Sequence, residues 1–288
     1  MTTSQLYQIA CTWEVQARKV GNVHPQASFA NATTQDFLLS AIASAEALCN
    51  PLSSNVADNI YDAVACSQAV VTHNTNLGIL LLLGPLVAFP KHVPLQQELP
   101  KLLRAWTVKD TETVYRAICL AKPGGLGTSK EQDVAKVPTV TLREAMQLAA
   151  ERDMIAKQYV TDYADVFNFG VPALLDGFTK FGCIESAIIH CQLCWLAEYP
   201  DSLIARKCGV DVANVVQIQA QEVLQLGGLA TLAARRAGVA FDTNLRAEGH
   251  RRNPGTTADL IAACLFIALR DDKLKPSDPF AWNVPDWL

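Results

Sequence analysis

Apolar positions recur along the chain at the spacing of helix faces. Leu6, Ile9, Ala10, Trp13 and Ala17 form one stripe. Phe37, Ala41, Ala45 and Leu48 form a second, with Thr33 or Thr34 placed to cap its start. Val56, Ile60, Val64, Ser67 and Val71 continue the pattern, and Val114, Ile118 and Ala121 follow a start at Asp110 and Thr111. Thr141 and Glu144 make a capping box that opens a helix through Met146 and Ala150. Stretches 184–196, 212–226 and 257–269 read the same way. The most apolar run, 77–89, is interrupted by Gly84-Pro85. It falls short of the roughly 20 residues that span a bilayer, so it predicts a buried core helix. No sustained alternation and no Asn-Gly or Asp-Gly hairpin turn suggests strands. The expected fold is all-α, a multi-helix globule with one domain over residues 1–288 and its site built from polar, glycine-bearing loops.

Composition narrows the function. With 50% hydrophobic and 18% charged residues the chain can bury a large core, which excludes a disordered protein. A net charge of -4 argues against duplex nucleic acid as partner but leaves room for a local basic pocket that takes a small polyanion. The 9 cysteines are odd in number, irregularly spaced and mostly inside apolar patterns, as expected of free thiols. Cys191 and Cys194 beside His190 lack a second ligand pair and read as core. With no basic-then-apolar leader at the N-terminus, the expectation is a cytoplasmic protein without a membrane segment; a homodimer is compatible with all of this.

Chemistry concentrates in five polar interruptions. The first helix ends in Lys19, Gly21, Asn22 and His24; helix-end roles cover Lys19 and Gly21 but not Asn22 and His24. Asn74, Thr75 and Asn76 precede the apolar helix; one would suffice as a cap, and three suit a phosphate or a base edge. Lys122, Gly124, Gly125 and Gly127 form a loop that is not a Walker A motif, and by composition alone it reads as a flexible surface loop. Arg206 and Lys207 stand before Gly209, where cations complement a helix dipole. The densest stretch runs from Arg246 through His250, Arg251, Arg252, Asn253, Gly255 and Thr256 to Asp259. Cations before a helix start make a polyphosphate receptor, although Asp259 also fits as a plain capping carboxylate. Asp162 and Asp165, three apart, could share a helix face to hold Mg²⁺ or supply a general base; a solvated face fits equally.

In this order these segments resemble the triphosphoribosyl-dephospho-CoA synthase family. The carrying pieces are Lys19 to Asn22, Ala27-Ser28-Phe29, Asp36-Phe37, Asn74-Thr75-Asn76-Leu77-Gly78, Gly124 to Gly127, Arg206 to Gly209, and Asn253-Pro254-Gly255-Thr256-Thr257-Ala258-Asp259-Leu260. The resemblance covers nearly the whole chain, and the Asn-Pro-Gly element is its most specific part. Val20 stands where the family usually has proline, and Asn76-Leu77 stands where it has His-Lys.

The resemblance implies an all-helical enzyme that transfers the triphosphoribosyl group of ATP to a hydroxyl of 3′-dephospho-CoA and releases adenine. In a divergent branch, phosphoribosyl pyrophosphate could be the donor and a pterin-type (methanopterin-like) precursor the acceptor. A non-catalytic nucleotide- or CoA-binding module is a further alternative. For the enzyme, Arg206, Lys207, Arg251 and Arg252 would hold the phosphates, together with Lys19, Asn22, Thr75, Gly124, Gly125, Asn253, Gly255 and Thr256. Asp36, Asp162 and Asp165 would be Mg²⁺ ligands, Asp165 or else Asp259 the base, and Asn74, Asn76 or His24 the group that orients or protonates the leaving adenine. These roles are exchangeable at this stage.

Overall fold

A computed structural model describes residues 1–53, 55–284 and 287–288. Among them are fourteen α-helices, two isolated bridges and no strand. In chain order the helices are α1 Thr3–Gln16, α2 Thr34–Leu48, α3 Val56–Val70, α4 Leu77–Val87, α5 Leu95–Ala105, α6 Val108–Ala121 and α7 Leu142–Gln147. Then come α8 Met154–Val160, a π-turn at Val166–Gly170, α9 Val171–Phe181, α10 Ile184–Glu198, α11 Ser202–Cys208, α12 Val210–Gln225, α13 Leu232–Arg246 and α14 Gly255–Arg270. No helix among the described residues is long and apolar enough to cross a membrane.

The two most apolar helices lie at the centre. In α4 every residue except Gly78 is buried, and a helix apolar on all sides belongs in a core. It packs against α14, which is also in contact with α1, α9 and α10. Pro85 has no N–H to give to the carbonyl one turn earlier. That carbonyl, Leu81 O, instead accepts the Tyr159 hydroxyl at 2.6 Å, and Tyr163 donates to Leu82 O at 2.9 Å. A second core joins α10, α12 and α13 and includes Val20.

Two expectations need correction. The chain does not continue as one helix through Asp162 and Asp165. It turns at Asp162 and Tyr163, whose φ values of 56° and 63° are left-handed, so the two carboxylates do not share a helix face. The helix opened by Thr141 ends at Gln147 rather than at Ala150.

One buried carboxylate ties the segments beneath the site. Asp201 Oδ1 accepts the N–H groups of Leu203 and Ile204 at 2.9 and 3.0 Å, capping α11. Its Oδ2 accepts both the N–H and the hydroxyl of Thr257, each at 2.8 Å, at the start of α14. Asp201→Ala removes a cap and strands buried donors, so urea denaturation should show a loss of about 3 kcal/mol. A loss below about 1 kcal/mol, the least a lost cap usually costs, would contradict this role.

Candidate active site

The N-termini of α4 and α14 and the C-terminal end of α1 converge on a cavity of about 640 Å³. Its other walls include residues 29–37, α6, α7, α8, α11 and the loop 122–134. Asn22, Asn74, Thr75, Gly124, Gly125, Arg206, Lys207, Asn253, Gly255, Thr256 and Asp259 all line it. Residues far apart in sequence thus meet at one place.

The meeting of the first and last motifs is a hydrogen-bond network. Asn22 Nδ2 donates to Asn253 Oδ1 at 2.6 Å. Gln192 Nε2 donates to Asn22 Oδ1 at 2.7 Å and to Val20 O at 2.8 Å, and Gln192 Oε1 accepts the Val20 N–H at 2.9 Å. A proline at position 20 could not make that last bond, so the departure at Val20 has a partner in the buried Gln192. Gly21 has φ 67° and lies against Leu245, where a Cβ would come within 2.6 Å of Cδ1, so only glycine fits there. The start of α4 is similarly occupied. Asn74 Oδ1 accepts the Leu77 N–H at 3.1 Å, as a cap does, and Thr75 shares a hydrogen bond with Ser40 at 2.6 Å.

One side of the cavity is cationic. The Gly124 and Gly125 loop lies on α11, where a Cβ on Gly124 would stand 3.2 Å from Lys207 Cε. Lys122, Arg152, Arg206 and Lys207 line this side, and His250 faces Phe29 with ring centroids 6.0 Å apart. Arg206 is paired with Asp153, the cap of α8. Burial holds the Lys207 ammonium below its ordinary range.

Two buried carboxyls also line the cavity. Glu14 is 4% exposed and pairs at 3.0 Å with Lys19, which is fully buried. The Lys19 ammonium also donates to Glu14 O and Ala17 O, so each of its protons has an acceptor. Asp259 lies against α4, where a Cβ on Gly78 would be 2.0 Å from its Oδ2. Burial, then the negative charges of Glu14 and Asp201, push the Asp259 carboxyl well above the usual carboxylate range.

Several expected residues stand elsewhere. Lys19 is behind the wall, committed to Glu14. His24 is buried outside the cavity, bonded through Nδ1 to Gln26 at 3.2 Å, and burial pushes it down to about 4. Asn76 is buried and donates to Ser67 at 3.1 Å. Arg251 and Arg252 turn to Glu248 and do not line the cavity. Asp36 closes the capping box with Thr33. Asp162 lies between Arg104 and Arg143, and Asp165 accepts from Gln158 and Tyr199 beside Lys157. These aspartates form no common metal centre. Among the described residues no three His, Cys, Asp or Glu side chains converge to hold a metal ion.

The family model for ATP:dephospho-CoA triphosphoribosyl transferase (CitG) matches residues 1–278. The chain belongs to this family. A "Probable 2-(5''-triphosphoribosyl)-3'-dephosphocoenzyme-A synthase" of Pseudomonas syringae pv. syringae (strain B728a) is 31% identical over 180 residues, 61% of this chain and 57% of the relative. One of the same name from Vibrio cholerae serotype O1 (strain M66-2) is 35% identical over 104 residues, 36% of this chain and 33% of the relative. The matched stretches thus span little more than half of the first relative's length and a third of the second's. The fold is similar to that of a "putative triphosphoribosyl-dephospho-coA synthase" from Archaeoglobus fulgidus, with TM-score 0.62 and 24% identity over 81% of this chain and 98% of that one.

Gly124, Gly125 and Gly127 and, from the Asn-Pro-Gly element, Asn253 and Gly255 meet at the cavity with Asn22, Asn74 and Thr75. Sequence reading missed Glu14, Asp153, Asp201 and Gln192. Glu14 had a signal: it follows Ala10 by four positions and so falls on the apolar face of α1.

Proposed function

We propose that this chain transfers the triphosphoribosyl group of ATP to a hydroxyl of 3′-dephospho-CoA, releasing adenine. The observation that carries this reading is the set of charged side chains lining the cavity of about 640 Å³. Lys122, Arg152, Arg206 and Lys207 supply its cations, Asp153 is already paired with Arg206, and Glu14 and Asp259 are buried carboxyls in its wall. The cations suit a triphosphate, and the buried carboxyls suit the anomeric centre.

Displacement at the anomeric carbon passes through an oxocarbenium-like state, which a carboxylate stabilises. The triphosphate would lie along Lys207 and Arg206, with the glycine loop bringing backbone N–H groups close. Mg²⁺ would arrive on the phosphates of the nucleotide. Among the described residues the acidic side chains form no cage for it.

The test is incubation of the purified chain with ATP, Mg²⁺ and 3′-dephospho-CoA, followed by chromatography and mass spectrometry. Free adenine together with a triphosphoribosylated product is the expected outcome. Adenine without that product would change the acceptor, and no adenine would overturn the reading. Lys207→Ala should raise the KM for ATP about tenfold or more, the size of a lost charge-assisted contact, and leave the acceptor KM nearly unchanged.

A further inference from the structure

Transfer from ATP to a hydroxyl needs two proton movements: the attacking oxygen must lose a proton and the departing purine must gain one. Two carboxyls line the cavity, near enough for the charge of Glu14 to bear on Asp259, in contrasting surroundings. Glu14 has the buried Lys19 ammonium at 3.0 Å, and Lys19 has no other anion in hydrogen-bond contact. Asp259 has no hydrogen-bond or salt-bridge partner among the described residues; Arg206, whose charge bears on it, is paired with Asp153. The charged groups that bear on Asp259 are Glu14 from α1, Asp201 and Arg206 around α11, and Asp153 before α8. Those on Glu14 are Lys19 and Asp259, with Cys11 one turn earlier on α1; burial raises the Glu14 carboxyl above its ordinary range, and Lys19 opposes that rise.

We infer that Glu14 and Asp259 divide the two proton transfers, Asp259 as the acid for the departing adenine and Glu14, paired with Lys19, as the base for the attacking hydroxyl. This assignment rests on the reaction proposed above. A cation beside one carboxyl and anions around the other are what set two such groups apart as base and acid. The acceptor oxygen forms a bond to the anomeric carbon while the bond from that carbon to the purine nitrogen breaks, its electron pair leaving with the purine. The purine takes the proton of Asp259, and the hydroxyl proton passes to Glu14. One proton enters the carboxyl pair and one leaves it, and exchange with solvent resets the site. Neither residue role depends on the aspartates at 36, 162 and 165, which stand outside the cavity.

The rate should fall at low pH as Glu14 becomes protonated and at high pH as Asp259 ionises. In the full chain, Glu14→Gln and Asp259→Asn should each lower adenine release by about 10²–10⁴-fold, the usual worth of a positioned acid or base. Glu14→Gln should remove the acid-side fall and Asp259→Asn the alkaline-side fall. An ATP analogue methylated at N7 carries a purine that leaves without being protonated. Asp259→Asn should regain most of its rate with that donor, and Glu14→Gln should not. A residue that merely held the fold would not produce this split. Where Glu14→Gln is unstable because Lys19 is left alone, the double variant with Lys19→Met keeps the base test available. Equal rescue of both variants, rescue of neither, or near-normal rates with ATP would overturn the assignment while leaving the reaction intact. Wild-type chain that releases no adenine would remove the reaction itself, and the assignment with it.

Discussion

Lys19→Met should lower the stability of the chain by about 3–5 kcal/mol in urea or thermal denaturation, the usual result of removing one partner from a buried ion pair. Lys19 is 0% exposed and Glu14 4%, so the substitution leaves a nearly buried carboxylate without the cation at 3.0 Å that compensates it. The substitution also removes the donor that satisfies Glu14 O and Ala17 O at the end of α1. Adding Glu14→Gln should return a large part of the loss, because the stranded charge is then gone. The double-mutant cycle isolates the pair from other effects of shortening the side chain. A loss below about 1 kcal/mol, typical of a surface pair, would show that the pair is not enclosed as described. No gain from the second substitution would show that the stranded carboxylate is not the cause.

The same pair marks where the sequence could be read and where it could not. Stripes such as that from Leu6 to Ala17 identify α1, and the all-α architecture follows from several like it. Helix α5 escapes because Pro94 and Pro100 bracket and interrupt its pattern. The turn at Asp162 and Tyr163 carries no glycine or asparagine to announce it. Within the site, the loops that line the cavity were legible as polar interruptions, and the resemblance put them in one place. Which charge in each loop faces inward was not. Arg251 and Arg252 look like a phosphate receptor, yet Glu248 stands three and four residues before them and takes both. That spacing was readable as a local ion-pair pattern. Gln192 was not, because its three contacts lie some 170 residues away in sequence and no local period encodes them.

Gly78→Ala should depress adenine release about 10²-fold while leaving the melting temperature close to that of the parent chain. Within a helix alanine is favoured over glycine by about 1 kcal/mol, so the backbone offers no reason for unfolding. The effect lies in what the new methyl group meets. It would stand 2.0 Å from Oδ2 and 2.4 Å from Cγ of Asp259, and 2.9 Å from Ile155 Cδ1. Ile155 belongs to the core, whereas the Asp259 carboxyl has no hydrogen bond to hold it and open cavity beside it. The carboxyl therefore yields, and it moves by about 1 Å or more, a displacement that can cost a catalytic group two orders of magnitude. The departure of the sequence at Asn76-Leu77 leaves this contact in place: Asn76 is buried and donates to Ser67, Leu77 is buried at the cavity wall, and Gly78 faces Asp259. Steady-state adenine release, read beside a melting curve, checks the expectation. Normal turnover in a folded Gly78→Ala chain would mean that the position of Asp259 against α4 is not what the reaction uses. A variant equally slow but poorly folded would place the glycine in packing and not in the chemistry.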